Sequence, residues 1–421
     1  MSLHEEAAGI LGTHVTWEDV EDEVRQSFGT QARFGENKKA TNIGDMKGFM
    51  SKIALIEPDW TCESENLPEK FVIKISSQLA FVAMSKLIKF GGENGLSEEK
   101  LRIFDKIVID LHNREVEAYR FFSKTPQAYA IPLIKIYGSR KFSAENPLKA
   151  FLISEYVENV KNLPIYESLD PLEVEKIIKN IAKFSSFGEI FDTKSELNFA
   201  AGPEFLAKIL TEFGDDKLRV TSYQMLRQSF PEEYRDKVDK LIEIYRFLMS
   251  PGHIAKLHGI CDFLGFRPVL LHGDLWPGNL LFTEETTKLR AIIDWQAVCF
   301  GAPAQDSGRF FITVLSAENR RKHLNHLLEV YYQEFVENVE KAGAKVPYTF
   351  EQLRKSYQLM FPLLTTMVLP GILRFANLAQ GTEEEKLRIH DLALEKAVGM
   401  MEDVIQTHQN NLIEFSDFYN L

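Results

Sequence analysis

The chain has 421 residues, of which 45% are hydrophobic and 26% charged, and its formal net charge at pH 7 is −12. The length allows a two-lobed enzyme, and the acidic balance argues against a general nucleic-acid surface, which needs an excess of basic residues. Three scattered cysteines predict a reducing, cytoplasmic compartment without a disulfide framework. The first residues show neither the basic nor the apolar region of a secretory signal, which agrees with that location.

The first 157 residues have the pattern of a small β-sheet with helices. Thr16 and Asp19 have the spacing of a capping box, and Trp17, Val20 and Val24 recur at helical spacing. A second, longer helix is predicted from Lys100 to Ser123. Runs rich in apolar or β-branched residues predict strands at 48–56, 71–75, 131–142 and 150–153. We expect residues 1–157 to form one lobe, which ends in a hinge at Glu155, Tyr156 and Val157.

Helical patterns dominate from Leu172 onward, and strand patterns occur only around His272 and Asp294. We therefore expect residues 158–421 to form a larger helical lobe with one small β element, and the whole chain to have an α+β fold. The helical tracts are predicted at 172–191, 231–249, 307–341, 350–378 and 383–408. The uncharged stretch 356–373 contains Pro362 and Pro370, so it is interpreted as a buried, kinked helix pair and not as a membrane span.

Three oxygen-bearing side chains surround the short strands of this second half. Asp274 follows an apolar run in His-Gly-Asp-Leu-Trp-Pro-Gly-Asn, Asn279 lies five residues later, and Asp294 ends the next β-branched run. A carboxylate in a loop can accept the proton of an attacking hydroxyl, which makes Asp274 the candidate catalytic base. Mg²⁺ prefers a few oxygen ligands together with water and phosphate, which makes Asn279 and Asp294 candidate metal ligands.

Two further residues of this region are interpreted as structural. His272 is expected to hold the shape of the loop by hydrogen bonds. Asp306 precedes the apolar run 310–312 and is expected either to cap a helix or to brace the catalytic loop. For any one of these acids alone, a turn residue is the ordinary interpretation, and the spacing of the set is what favours catalysis.

These blocks, followed by Ile-Asp-Trp-Gln and Gly-x-Pro-x-x-Asp, resemble the aminoglycoside phosphotransferase and choline kinase superfamily. The residues of these blocks are most similar to the ecdysteroid kinase-like, or CHK kinase-like, branch of that superfamily. The resemblance implies a protein-kinase-like fold with two lobes. It also implies transfer of the γ-phosphate of ATP, with Mg²⁺, to the hydroxyl of a small molecule.

The same resemblance implies nucleotide-binding residues in the first half. A strand lysine should pair with a helix glutamate, and we assign these to Lys74 and Glu115, with Glu117 as the alternative partner. The other interpretation of Lys74 is a lysine on the solvent face of its strand. The remaining implied positions are a phosphate-covering loop with Gly44, Gly48 and Ser51, and adenine at Glu155, Tyr156 and Val157.

Three functions are weighed against these patterns. A small-molecule kinase is the leading hypothesis, and a catalytically silent kinase-fold protein that binds ATP or another ligand is the alternative. A protein kinase is disfavoured because no His-Arg-Asp, Asp-Phe-Gly or Ala-Pro-Glu segment is present. The acceptor stays open among steroid-like, choline-like and other alcohols, and the pattern does not address the oligomeric state.

Overall fold

The fold is that of a computed structural model, which describes residues 2–44, 50–62, 67–87, 95–197 and 216–419. The chain divides into two compact units, each built from more than one segment. Unit one comprises Met1–Thr125, Leu133–Val160 and Asp294–Ala297, and unit two comprises Pro126–Pro132, Lys161–Ile293 and Val298–Leu421.

Unit one contains a five-stranded sheet in the order β1-β2-β3-β5-β4, in which every neighbouring pair is antiparallel. Its strands are β1 (Lys39–Asn42), β2 (Ser51–Glu57), β3 (Phe71–Ser76), β4 (Ile136–Arg140) and β5 (Phe151–Glu155). Its helices are α1 (Trp17–Phe28), α2 (Leu79–Leu87) and α3 (Glu98–Lys124).

The first helix shows how local sequence and core packing agree in unit one. Thr16 and Asp19 form the predicted capping box, and Gly29 ends α1 with a φ of 62°, in the left-handed region that glycine adopts at low cost. Val20 and Val24 are buried in a core that also contains Ile56, Phe71 and further apolar residues of β3 and β5. This core fixes the sheet face that α1 covers.

Unit two is mainly helical. Its helices are α4 (Pro171–Ile190), α5 (Thr193–Leu197), α6 (Asp216–Ser229), α7 (Arg235–Leu248), α8 (Pro251–His258), α9 (Ile260–Leu264), α10 (Ala304–Val314), α11 (Ala317–Lys341), α12 (Phe350–Asn377), α13 (Glu383–Glu414) and α14 (Ser416–Tyr419). The short strand β6 (Val160–Lys161) leads into it. Two antiparallel pairs carry the candidate catalytic loop, β7 (Val269–Leu271) with β10 (Cys299–Gly301) and β8 (Leu280–Thr283) with β9 (Leu289–Ile292).

The predicted helix pair at 356–373 is wrong, because this stretch lies within the single helix α12. Pro362 cannot donate a hydrogen bond to the carbonyl of Gln358, one turn before it. The side chain of Asn411, on α13, donates to that carbonyl at 2.9 Å and so supplies the missing bond. Within the described residues α12 is the one helix long and apolar enough to cross a membrane, and 72% of its most apolar window is buried inside the protein.

The α+β prediction, with a small antiparallel sheet and a larger helical part, is confirmed. The sequence patterns located β2, β3, β4, β5 and the longest helices but missed β1, β6 and β10. The tract predicted at 307–341 is two helices, α10 and α11, because Leu315 adopts an extended backbone between them. The division at residue 157 stays a prediction.

Candidate active site

A lysine of unit one, Lys74, is held between the carboxylates of Glu115 and Asp294. Phe71, Ile73 and Ile75 of β3 are fully buried in the core, so Lys74 points to the opposite face of the strand. There its Nζ donates to Oε2 of Glu115 at 2.7 Å and to Oδ1 of Asp294. The Lys74 side chain is 15% exposed, which excludes the solvent-facing alternative.

The electrostatics of this cluster favour the charged lysine. Burial disfavours the ammonium, but the negative charges of Asp294 and Glu115 outweigh it and raise the pKa of Lys74 above its ordinary value. Burial also raises the pKa of Glu115, and the Lys74 ammonium opposes that shift. Glu117, the alternative partner, instead pairs with Arg120 and Lys141.

The turn that carries Asp294 is attached to helix α3. Asp294 has a φ of 65°, a left-handed conformation that Asp tolerates better than most residues. Its Oδ2 accepts a hydrogen bond from Gln296 at 3.2 Å. Trp295 is fully buried and packs edge-to-face on Phe122 of α3, with ring centroids 4.8 Å apart. The backbone of Trp295 also donates to the Glu115 carboxylate, so the two acids are held by one helix.

The loop after β7 in unit two is shaped from inside by His272 and Asp306. His272 is fully buried, its Nε2 lies 3.0 Å from the carbonyl of Ile293, and its Nδ1 accepts from the backbone N–H of Asp274 at 3.3 Å. Asp306 accepts from the backbone N–H groups of His272 at 2.6 Å and of Gly273 at 2.9 Å. Gly273 has a φ of 82°, which explains the glycine.

These contacts correspond to the brace that was one of two alternatives for Asp306. The residue lies in the first turn of α10, whose N-cap is Pro303 and has no side-chain capping bond. Burial raises the pKa of Asp306, and the neighbouring His272 and the two N–H groups oppose the shift. The Asp306 carboxylate thus binds the backbone of the loop and does not cap α10.

Asp274 itself is held by one strong and one weak contact. Its Oδ1 lies 2.6 Å from a guanidinium nitrogen of Arg309, on α10. Asn279 donates from Nδ2 to the backbone carbonyl of Asp274 at 2.8 Å and, over 3.3 Å, to its Oδ2. Oδ2 is thus the carboxylate oxygen with the weaker partner, and Asn279 keeps its amide oxygen Oδ1 for another ligand.

The outer side of this loop is aromatic. The Trp276 ring faces Phe375 of α12, with centroids 6.5 Å apart. Gly278 lies under that ring, and a Cβ there would stand 2.4 Å from the indole, so only glycine fits without movement. Asn162 donates to the carbonyls of Gly278 and Leu280, at 3.0 Å each, and holds the turn to β8.

The residues predicted for the phosphate loop and the hinge lie on and beside the sheet of unit one. Gly48 lies outside the described residues. Gly44 packs on β2, where an added Cβ would lie 2.9 Å from that of Ile53, so packing alone explains this glycine. Ser51 is the buried first residue of β2. The backbone N–H of Glu155 already donates to the carbonyl of Lys135 at 2.8 Å, whereas Tyr156 is 37% exposed and Val157 is half-buried.

Sequence reasoning missed Arg309, Gln296 and Asn162. Gln296 belongs to the Ile-Asp-Trp-Gln block, so its position two residues after Asp294 could have indicated a hydrogen bond to that carboxylate. Arg309 lies three residues after Asp306, on the helix that braces the loop, but no sequence pattern joins it to Asp274. Asn162 acts from a segment more than a hundred residues upstream of its partners.

Several known proteins are similar to this chain. A curated relative, an uncharacterized kinase-like protein of Caenorhabditis elegans, is 30% identical over 149 residues, which is 34% of this chain and 38% of that protein's own length. A putative aminoglycoside phosphotransferase of Ralstonia eutropha has a TM-score of 0.42 at 14% identity and covers 92% of this chain and 98% of that one. A microcompartment-associated aminopropanol kinase has a TM-score of 0.45 at 12% identity, with coverages of 92% and 95%.

A family profile covers far more of the sequence than the curated relative does. The profile is DUF1679, described as "Uncharacterized oxidoreductase dhs-27", and it matches residues 3–412. On this match, the chain belongs to the DUF1679 family.

Proposed function

We propose that this protein transfers the γ-phosphate of ATP to the hydroxyl of a small molecule. It would then be an aminoglycoside phosphotransferase and choline kinase-like enzyme, and the ecdysteroid kinase-like branch stays a finer prediction. The kinase-like description of the curated relative agrees with this function. The cytoplasmic location also stays a prediction.

One observation carries the proposal, the cluster of Lys74, Glu115 and Asp294. A strand lysine that pairs with a helix glutamate and places its ammonium for phosphates is the arrangement on which protein-kinase catalysis depends. The three residues come from a strand, a helix and a turn that are far apart in sequence, and the packing of Trp295 on Phe122 holds the turn on the helix. A solvated surface lysine has no reason to meet two carboxylates in this way.

Asp274 is the proposed catalytic base, and Oδ2 is the oxygen that accepts the proton. The acceptor hydroxyl gives its proton to Oδ2 while its oxygen forms a bond to the γ-phosphorus. The bond from that phosphorus to the bridging oxygen breaks, and ADP leaves with the electron pair. Arg309 and Asn279 hold the carboxylate during this step, and His272 and Asp306 hold the loop.

The residues proposed for Mg²⁺ are Asn279 and Asp294. Asn279 would bind through its amide oxygen and Asp294 through its carboxylate. Both carboxylate oxygens of Asp294 accept one hydrogen bond in this structure, so each retains a lone pair for the metal. Among the described residues no cluster of three or more His, Cys, Asp or Glu side chains is placed to hold a metal, which fits an ion that keeps water and phosphate ligands. Bound there, Mg²⁺ would screen the charge of the triphosphate.

The proposal also includes the remaining nucleotide contacts. The N–H of Glu155 already donates to Lys135, so adenine would use the carbonyl of Glu155 and the backbone of Tyr156 and Val157. Gly44, Gly48 and Ser51 remain the proposed phosphate loop. We also retain residues 1–157 and 158–421 as the proposed lobes.

The family description names an oxidoreductase, and the sequence disfavours a dinucleotide-dependent one. The dinucleotide fingerprint begins with two glycines separated by one residue, and no pair of glycines in this chain has that spacing. The main sheet of unit one is antiparallel throughout, whereas dinucleotide-binding folds use parallel strands. A phosphotransferase fits both observations.

The test is a screen of the full chain with γ-labelled ATP and Mg²⁺ against libraries of steroid-like, choline-like and other alcohols. Wild type should label an acceptor, and Asp274→Asn should lower the rate by a factor of about 100 to 10,000 because the base is lost. Nucleotide binding, followed by thermal shift with MgATP, should survive in that variant.

The matched control is Asp262→Asn, an exposed aspartate of unit two that should leave the rate unchanged. MgATP binding without transfer to any acceptor would favour the silent binding protein. Absence of any shift with MgATP would refute both functions.

A further inference from the structure

Arg309 is a cation placed directly on the proposed catalytic base. Its guanidinium lies 2.6 Å from Oδ1 of Asp274, and the two side chains are 22% and 26% exposed. Its Nε is buried and has no hydrogen-bond partner in the described part of the chain. The formal negative charge of Asp274 is therefore already balanced before any acceptor arrives.

The aromatic surface beside this pair does not decide which acceptor fits. Trp276 is half-buried, two residues after Asp274, and faces Phe375. Such a surface binds flat apolar molecules, and an indole face also attracts quaternary ammonium groups. Both a neutral alcohol and a choline-like cation could stack there, so the choice depends on the charges around the hydroxyl.

Those charges disfavour a cation. The attacking hydroxyl must come within about 3 Å of Asp274 Oδ2. In a small amino alcohol the positive charge is only two or three bonds from that hydroxyl, so it would lie close to the Arg309 guanidinium. Asp306, on α10, is 1% exposed and its two oxygens accept from backbone N–H groups of the loop, so it does not meet the acceptor, and its attraction to the Arg309 charge is weaker than its interactions with His272 and those N–H groups. Like charges placed this closely repel.

We infer that Arg309 determines the acceptor class and selects alcohols that carry no positive charge near the hydroxyl. This inference rests on the proposed function, because it assumes that the acceptor hydroxyl binds at Asp274. It narrows the acceptor from steroid-like, choline-like or other alcohols to neutral or anionic ones.

Three probes of nearly the same shape test the inference. Choline is cationic, 3,3-dimethyl-1-butanol is its uncharged isostere, and hydroxypivalate is an anion of similar size. Affinities for the full chain are measured by ligand-observed NMR, with and without Mg²⁺ and a non-hydrolysable ATP analogue. For wild type the neutral or the anionic probe should bind at least about tenfold more tightly than choline.

Variants then assign the effect to Arg309. Arg309→Gln should raise the affinity for choline, so that its difference from the affinities for the other two probes becomes smaller or changes sign. Arg309→Lys should restore the wild-type order of affinities because the positive charge returns. The control is Arg267→Gln, since Arg267 also meets a carboxylate, that of Glu189, at 2.6 Å, but elsewhere in unit two. It should leave the order unchanged, and thermal melting of each variant checks folding.

Each other outcome contradicts the inference. Tighter binding of choline than of its isostere by wild type would show that the attraction of Trp276 for a cation outweighs Arg309. An unchanged order in Arg309→Gln, or no binding of any probe, would also refute it. If the order of affinities for the three probes depends on Arg309 but the protein neither binds nor turns over ATP, the proposed function is refuted instead.

Discussion

Unit one and unit two each bury a lysine, and the two ammonium groups have opposite surroundings. Lys74 meets two carboxylates, which raise its pKa. Lys396, on α13, donates to the backbone carbonyls of Ile165 at 2.9 Å, Glu167 at 2.6 Å and Thr313 at 2.6 Å. Burial, with a smaller contribution from the charge of Arg320, lowers the pKa of Lys396 to about 7.

The difference shows that burial of a lysine does not by itself mark a functional site. Lys396 has one carbonyl for each N–H, so its hydrogen bonds are complete and it joins three backbone segments. The cluster at Lys74 has one formal positive and two formal negative charges, so it carries a net formal charge of −1. That remaining charge can be balanced by a cation bound with a ligand, as a metal–nucleotide complex would supply.

The strongest test of this comparison removes Lys74. Lys74→Met leaves Glu115 and Asp294 beside each other without compensation, so the free energy of unfolding should fall by about 3 kcal/mol or more at pH 8. The loss should be smaller at pH 5, where Glu115 takes up a proton readily because burial has raised its pKa. Urea unfolding monitored by circular dichroism gives both values.

The double variant Lys74→Met with Glu115→Leu is the control for this interpretation. It removes the uncompensated carboxylate as well as its partner, so much of the stability should return while MgATP binding stays lost. An unchanged urea midpoint for Lys74→Met at pH 8 would show that the cluster is not formed in solution.

Lys396→Met should destabilise by less, about 2 kcal/mol, because three carbonyls lose a donor while the cost of a buried charge disappears. The variant should also lose the contribution of Lys396 to the pH dependence of the free energy of unfolding. In wild type the native state releases this proton above about pH 7, whereas the unfolded chain keeps it to about 10.5. The unfolded state thus binds more protons between these values, and stability rises with pH by up to about 1.4 kcal/mol per unit.

The measurement is the difference between wild type and Lys396→Met in urea unfolding at pH 7, 8 and 9, since other titrating groups contribute equally to both. A difference that does not change with pH would mean that Lys396 keeps its proton in the native protein. MgATP affinity should be the same in both proteins, in contrast to Lys74→Met.

Removal of the divalent ion tests the net charge of the Lys74 cluster. ATP in the presence of EDTA should bind at least about tenfold more weakly than MgATP, because uncompensated phosphates approach a cluster with an excess negative charge. Isothermal titration calorimetry at constant ionic strength measures this. Equal affinities would place the triphosphate away from Glu115 and Asp294.

Glu115→Gln should have the smallest effect. The amide oxygen can still accept from Lys74, and Asp294 still balances the ammonium, so the expected loss of stability is about 1 kcal/mol. Thermal melting measures it, with Glu117→Gln as the control on the same helix. A loss as large as that of Lys74→Met would mean that Asp294 contributes little to the pairing.

The sequence predicted the parts of the site that depend on local pattern. Lys74 stood out because it interrupts an apolar, β-branched strand, and Asp274 and Asn279 because they share one loop. Arg309 and Lys396 could not be predicted in the same way, because their partners are chosen by helix packing. The nearest carbonyls of Lys396 lie 83 to 231 residues away in the chain. Strand β1 was missed because Lys39–Asn42 has no apolar alternation.

The hydrogen bond from Asn411 to the carbonyl of Gln358 has a consequence for folding. The donor lies 53 residues beyond the acceptor, so the backbone bonding interrupted by Pro362 is completed only after α13 has docked. We therefore expect α12 and α13 to open as one cooperative unit in native-state hydrogen exchange, and Asn411→Leu to separate them. Among the described residues, the helix that is apolar enough to cross a membrane thus depends on a polar side chain of its neighbour where Pro362 interrupts its backbone hydrogen bonds.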